Sequence, residues 1–324
     1  MIHIGSLSIG DFPLILSPMD DVTDHPFREL CRQMGADVVV TEFIASEALN
    51  REVEKSRQKM CFSPQQRPVG IQIFGADEAS LLKCIDIVAA QHPDFIDLNW
   101  GCPVKKVAGK GAGAGMLNDL PRLLAITEAV VRRSPLPVTV KTRLGYDNEH
   151  KPIVALAEAL QDVGVAALSI HGRTKTQMYK GVADWTLIGE VKNNPRMHIP
   201  IFGNGDLTSP EQVLEAKRRY GVDGVLIGRG AIGNPWIFEQ TRQLLGGAQP
   251  RPVPISERCQ VCRTHLLEEV AFKGEHRAVF EMRKHYGGYF YGLKDFRQFR
   301  LPLVSVTSVE ALLPIFDQIA AFYG

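Results

Sequence analysis

Eight short runs of apolar, largely β-branched residues punctuate the first three quarters of the chain: Leu14–Leu16, Val38–Val40, Val69–Phe74, Phe95–Leu98, Val138–Val140, Ala167–Ile170, Ile199–Phe202 and Gly224–Ile227. Each is nearly continuous rather than alternating, the pattern of a strand buried on both faces. Between them lie segments with apolar residues at helical spacing, among them Ala79–Ala90, Leu120–Arg133, Ile153–Val163 and Pro210–Arg219. Asp119 and Ser209 stand where N-caps belong. Strand and helix thus alternate to about Leu245, which predicts a parallel sheet covered by crossover helices. A count of eight favours closure into a (β/α)8 TIM barrel spanning residues 1–245, and an open doubly wound sheet is the alternative.

The stretch from Gly246 to Pro254 (GGAQPRPVP) breaks the alternation as a linker does. From 255 to 324 the residues favour helix, punctuated by Pro302 and Pro314, so a small C-terminal helical domain is expected. At 324 residues, 45% hydrophobic and 23% charged, the composition is that of a globular chain with one large and one small unit. No apolar run is long enough to cross a bilayer, and residues 1–11 lack the pattern of a secretory signal. Six scattered cysteines suit a reducing cytoplasm better than a disulfide framework. The net charge of +1 names no partner, so any nucleic-acid surface must come from the distribution of charge.

That distribution is uneven at the strand ends, where a barrel carries its chemistry. The first run ends in Ser17, Pro18, Met19 and Asp20; the third contains Gln72; the fourth ends in Asn99 and Cys102; the fifth in Lys141 and Arg143. The sixth ends in His171, Gly172 and Arg173, the seventh in Gly203, Asn204, Gly205 and Asp206, and the eighth in Gly228, Arg229 and Gly230. The last two loops of such a barrel form its customary phosphate cradle, and glycines beside Arg229 suit one. Cys102 stands where a buried strand gives way to a loop, followed by Lys105, Lys106 and Lys110, a setting for a reactive thiol or for an anionic partner. From Arg283 to Arg300 basic residues (Arg283, Lys284, Lys294, Arg297, Arg300) interleave with aromatics. The aromatics are expected mainly in the core and most of the cations on phosphate. Cys259, Cys262 and His265 are spaced as metal ligands but lie in a helical stretch without a second pair, so core packing is expected and no metal.

In combination these motifs resemble the tRNA-dihydrouridine synthases, flavin enzymes that reduce uridines in tRNA. The resemblance rests on Ser17 to Met19 with Thr23, Asp24, Pro26, Phe27 and Arg28; Gln72; Asp97, Asn99, Gly101, Cys102 and Pro103; Lys141 and Arg143; His171 to Arg173; Asn204 to Asp206; and Gly228, Arg229, Pro235 and Trp236. Among bacterial subfamilies the chain is most similar to the B type. The resemblance implies FMN on the barrel rim and NADPH as reductant. Pro18, Met19 and Asp20 would line the flavin ring, with Gln72 and Lys141 at its polar edge and His171 beside it. Asn204, Gly205, Asp206, Gly228 and Arg229 would hold the phosphate. Asp20 departs from the family's usual residue, which puts its side-chain role in doubt.

The resemblance makes Cys102 the acid that protonates C5 of uracil while hydride reaches C6. Asn99 would orient the uracil, and Lys105, Lys106, Arg143, Arg173, Arg283, Lys284, Arg297 and Arg300 would contact substrate or RNA. The glycines at 109, 111, 113 and 115 suggest a loop that is mobile until substrate closes it. A cytoplasmic monomer with tRNA as partner is expected. A flavin barrel acting on a small enone or free pyrimidine, and a non-catalytic RNA-binding barrel, are the competing readings.

Overall fold

The computed structural model describes residues 1–324, and its centre is a closed barrel of eight parallel strands. They are β1 (Leu14–Leu16), β2 (Val38–Val40), β3 (Val69–Phe74), β4 (Phe95–Trp100), β5 (Val138–Arg143), β6 (Ala167–His171), β7 (Ile201–Asn204) and β8 (Gly224–Ile227). The order is β1 to β8 around the ring, closed by pairing of β8 with β1. β4, β5, β6 and β7 each run on to polar residues at their C-terminal ends. These residues stay in register, so Asn99 pairs with Lys141, Arg143 with His171 and His171 with Asn204. The sheet itself therefore carries five candidate side chains to one rim.

The helices between strands bury one face each against the barrel, in a cluster of 51 buried residues. Leu120–Arg133 begins as expected, with the Asp119 carboxylate accepting the Arg122 N–H. Pro210–Tyr220 begins on a reciprocal capping box between Ser209 and Gln212. At the barrel's N-terminal end a hairpin (His3–Ile4 with Leu7–Ser8) puts Ile4 against Ile15, Val38, Phe95 and Phe202, closing that end with apolar side chains. Gly70 is required there, since a Cβ on it would lie 2.2 Å from the Phe95 ring. The opposite, C-terminal mouth is the open one.

Four helices follow, Ile255–Lys273, Glu275–Tyr289, Arg297–Ser305 and Val309–Tyr323, around their own core of 16 buried residues. Cys259 and Cys262 belong to that core, and His265 is fully buried beside the Tyr289 hydroxyl, 3.0 Å from its Nδ1. Tyr286, Tyr289, Phe290 and Phe299 are buried as expected, whereas Tyr291 is exposed. Residues 246–254 connect the two units but are held: Arg251 bridges Glu239 and Glu257 in the two flanking helices at 3.1 and 2.8 Å. Gly233 and Gly288 let barrel and helical domain meet backbone to backbone, since a Cβ on either would stand 2.0 Å from a carbonyl oxygen of the other unit. No helix is long and apolar enough to cross a membrane.

Candidate active site

At the C-terminal mouth lies a cavity of about 440 Å³. Every barrel strand end from β4 to β8, and the loop after β1, contributes to its wall. Ser17, Pro18, Met19 and Asp20 come from the loop after β1, Asn99, Gly101 and Cys102 from β4, and Lys141 and Arg143 from β5. His171, Asn204 to Asp206, and Gly228 to Gly230 complete it. The loop after β1 is fixed by Thr23, whose hydroxyl accepts the Met19 N–H at 2.9 Å and donates to the Met19 carbonyl at 3.1 Å. Asp20 reaches the cavity, but its carboxylate is held by Lys59, which also pairs with Glu42 at 3.2 Å.

The cavity is strongly cationic. Burial lowers Lys141 to about 8, with Arg143 beside it adding to the effect. Its ammonium meets the Asn204 Oδ1 at 3.3 Å, and Asn204 in turn donates to the Leu226 carbonyl. His171 is pushed well below the ordinary histidine range by burial and then by Arg143 and Lys141, so the ring is neutral. Its Nε2 lies 3.3 Å from the Arg173 guanidinium, which only donates, leaving Nδ1 to carry the ring proton. A cavity lined by two arginines, Arg143 and Arg229, and two lysines, Lys106 and Lys141, with no free acid calls for an anion.

Cys102 sits on this wall, 7% exposed, against Val107 and Ala112. Burial pushes its thiol above the ordinary cysteine value, outweighing Arg143 and Lys141, so the group is a protonated acid at neutral pH. The Asn99 Oδ1 accepts the N–H groups of Gly101 and Cys102 at 2.9 and 2.8 Å, fixing the turn that carries the thiol. Gly113 backs it with φ +53°, and a Cβ there would crowd the Cys102 carbonyl at 3.0 Å. The glycine-containing segment after Cys102 is folded rather than open: Lys105–Ala108 is helical and Gly113–Asn118 forms a 3-10 helix.

Several expected contacts are placed differently. Gln72 does not reach the cavity; it points into the barrel on β3, fully buried, with both ends of its amide bonded to Asp97 and Asn99. Arg173 is 1% exposed and is no RNA contact. It bonds the carbonyls of Lys180 and Gly181 and the Asp206 carboxylate, because the loop after β6 folds back over it. Arg143 lines the cavity, but three of its bonds go to the carbonyls of Gly101, Thr174 and Met178. Asp206 offers no free carboxylate. Burial would raise it, but Arg173 and the Ala183 N–H hold it below the usual range, and Arg229 pairs with it at 2.8 Å. It therefore orients the two arginines.

Lys106 lines the cavity, while Lys105 and Lys110 are exposed beside it. In the helical domain Arg297 and Arg300 are exposed. Arg283 packs its guanidinium over Phe280 at 4.1 Å and bonds the Val306 carbonyl, and Lys284 reaches across the domain boundary to the Asp21 carbonyl. Tyr179, on the loop after β6, also lines the cavity, with Arg143 and Arg229 over its ring at 5.6 and 5.3 Å. No strand-end signal announced it.

Comparison with known proteins finds relatives over nearly the whole chain. A profile of the dihydrouridine synthase (Dus) family matches residues 15–321. The tRNA-dihydrouridine synthase B of Pseudomonas aeruginosa is 39% identical over 312 residues, 96% of this chain and 93% of its own. That of Vibrio vulnificus is 35% identical over 324 residues, 97% of this chain and 100% of its own. Among solved structures, a morphinone reductase mutant in complex with tetrahydroNAD has a TM-score of 0.52 at 12% identity, covering 78% of this chain and 91% of that one. Histamine dehydrogenase from Rhizobium sp. 4-9 has a TM-score of 0.54 at 12% identity, covering 82% of this chain, which spans 50% of that protein's length. Identities this low speak for the barrel alone. Profile and full-length relatives together show that the chain belongs to the dihydrouridine synthase family.

Proposed function

We propose that this protein reduces the C5=C6 bond of uridine in tRNA to 5,6-dihydrouridine, on FMN held at the barrel mouth, with NADPH as reductant and Cys102 as the proton donor. The observation that carries this reading is a thiol kept protonated by burial on the wall of a cationic, phosphate-suited cavity, in a chain of this family. The residues fit the cofactor. Gly205 and Gly228 bring bare backbone to the cavity wall, and Arg229, oriented by Asp206, supplies a charge-assisted donor for a phosphate. Lys141 supplies a cation for a reduced flavin, and neutral His171 a ring N–H.

When bound, the cofactor supplies the hydride for C6. The protein's own task is to place uracil with C5 toward the Cys102 thiol, to deliver that proton and to exclude water. A uridine in folded tRNA must be extruded to enter a cavity of this size, at a cost of a few kcal/mol met by backbone contacts elsewhere. Exposed Lys105, Lys106 and Lys110 at the mouth and Arg297 and Arg300 on the helical domain are the candidates for those contacts.

The deciding experiment is a dihydrouridine map of tRNA from cells with and without the protein, paired with turnover of unmodified tRNA and free uridine by purified protein. Loss of dihydrouridine at defined positions, and turnover of tRNA but not of free uridine, is expected. Equal turnover of free uridine would shift the substrate to a small pyrimidine, and colourless protein that takes up no flavin would overturn the reading. Arg229→Ala should bind flavin at least about tenfold more weakly, the worth of one charge-assisted hydrogen bond of about 1.5–3 kcal/mol. Flavin titration of the stripped protein measures it.

A further inference from the structure

One buried carboxylate has no task in the reaction just described. Asp97 lies within β4, 4% exposed, and no cation bonds to it directly. Burial pushes its carboxyl up, and bonds from Thr139 and Gln72 oppose that rise. The register of β3 against β4 puts Gln72 opposite Asp97, and Asn99 lies two residues further along the same strand face.

Their hydrogen bonds form a single chain. One Asp97 oxygen accepts the Thr139 hydroxyl, and the other accepts the Gln72 Nε2 at 2.5 Å. The Gln72 Oε1 accepts the Asn99 Nδ2 at 2.8 Å, and the Asn99 Oδ1 accepts the backbone N–H of Gly101 and of Cys102. Amide orientation is ordinarily ambiguous, but here both ends decide it. An ionised carboxylate only accepts, so Gln72 must turn its NH2 to Asp97 and its oxygen to Asn99. Backbone N–H groups only donate, so Asn99 must turn its oxygen to them and its NH2 to Gln72. The two requirements agree, and every link is buried, where a mismatched link would be costly.

We propose that Asp97 and Gln72 are positioning residues which, through Asn99, lock the turn that presents the Cys102 thiol. The proposal rests on the reading of Cys102 as proton donor, but its test reads the turn itself. Q72E is nearly isosteric and sets a second carboxylate against Asp97, which breaks the chain. The double variant Q72E/D97N returns one carboxylate and one amide: the new amide on β4 donates to the new carboxylate on β3, and an acceptor again faces Asn99.

The experiment follows alkylation of Cys102 by iodoacetamide in the flavin-loaded enzyme, quantified on the Cys102 peptide by mass spectrometry, beside tRNA turnover and flavin content. Q72E is expected to alter the Cys102 alkylation rate severalfold and to lower turnover at least about tenfold, the effect of about 1.4 kcal/mol at the transition state. Q72E/D97N is expected to bring both back to within about threefold, given that tenfold corresponds to about 1.4 kcal/mol. A role in filling space alone would leave Q72E near wild type, and D97N would rescue nothing.

Unchanged thiol reactivity in Q72E overturns the proposal, as does a double variant that folds or reacts no better than Q72E. Loss of flavin from Q72E and from the double variant, with the thiol unaffected, also overturns it and returns Gln72 to direct cofactor contact. Restored thiol reactivity with turnover still absent upholds the positioning and counts instead against Cys102 as the acid.

Discussion

Cys102→Ala is expected to lower dihydrouridine formation by about 10²–10⁴-fold, the usual worth of a positioned general acid, while flavin remains bound. The side chain is small, and its apolar neighbours Val107 and Ala112 tolerate alanine, so the fold should not register the change. None of the groups that would hold the phosphate, Arg229 and the glycines at 205 and 228, touches the thiol through a hydrogen bond. Reduction of the bound flavin by NADPH should proceed at the wild-type rate, since that half of the cycle needs no proton on uracil. Cys102→Ser should be nearly as defective, because a hydroxyl fits the space but is a far weaker acid. The pH dependence has a definite sign. Burial raises the thiol above its ordinary value, so the acid is intact through neutral pH and tRNA reduction falls only on the alkaline side, first as Lys141 loses its charge near pH 8 and then as the thiol ionises. Single-turnover oxidation of reduced enzyme by unmodified tRNA, with flavin absorbance as the signal, reads both effects. A variant that reduces tRNA at the normal rate would remove Cys102 from the reaction.

Strand positions were legible because a strand buried on both faces must be apolar throughout, and all eight runs are strands of the barrel. The rim residues Cys102, Lys141, His171, Asn204 and Arg229 were legible for the complementary reason, that polar residues ending an apolar strand reach its mouth. Misplacements follow from three features a linear reading does not contain. Gln72 lies within its strand, below the rim, and only the register shows that it faces Asp97. Arg173 ends a strand, but the loop from 174 to 181 folds over it and spends its donors on carbonyls. Lys284 looked like an RNA contact because it stands in a basic, aromatic stretch, yet the domain packing brings it to the Asp21 carbonyl. The short strand Ile44–Ala45 and the helices Ser46–Asn50 and Glu54–Met60 left little periodic signal, being only two to seven residues long.

Lys273→Met should destabilise the protein by about 3–5 kcal/mol, because it leaves buried carboxylates without their cation. The Lys273 side chain is 1% exposed and pairs with Asp24 across the domain boundary and with Glu269 and Glu281 in the helical domain, the last at 2.7 Å. Burial alone would lower the ammonium, but Asp24 and Glu269 outweigh it and raise Lys273 above its ordinary value, so its stabilisation is fully present from pH 5 to 8. Asp24 also caps the helix His25–Gln33 by accepting the Phe27 N–H, so the same contact anchors the loop carrying Pro18 and Met19. Burial and Glu269 already raise the Asp24 carboxyl to about 6 against the pull of Lys273. Without the lysine it rises further, while the unfolded chain still releases that proton near pH 4. The folded variant then holds more protons than its unfolded chain between these values, so its stability falls as pH rises through them. The deficit relative to wild type is therefore expected to be larger at pH 8 than at pH 5. Thermal unfolding should show a Tm lower by about 6–10 °C at pH 8, using roughly 2 °C per kcal/mol for a chain of this size. Asp24→Asn in the Lys273→Met background removes one of the stranded charges and should recover part of that loss at pH 8. A Lys273→Met protein with equal deficits at both pH values, or none, would mean that the carboxylates find other partners and that this lysine does not hold the two domains together.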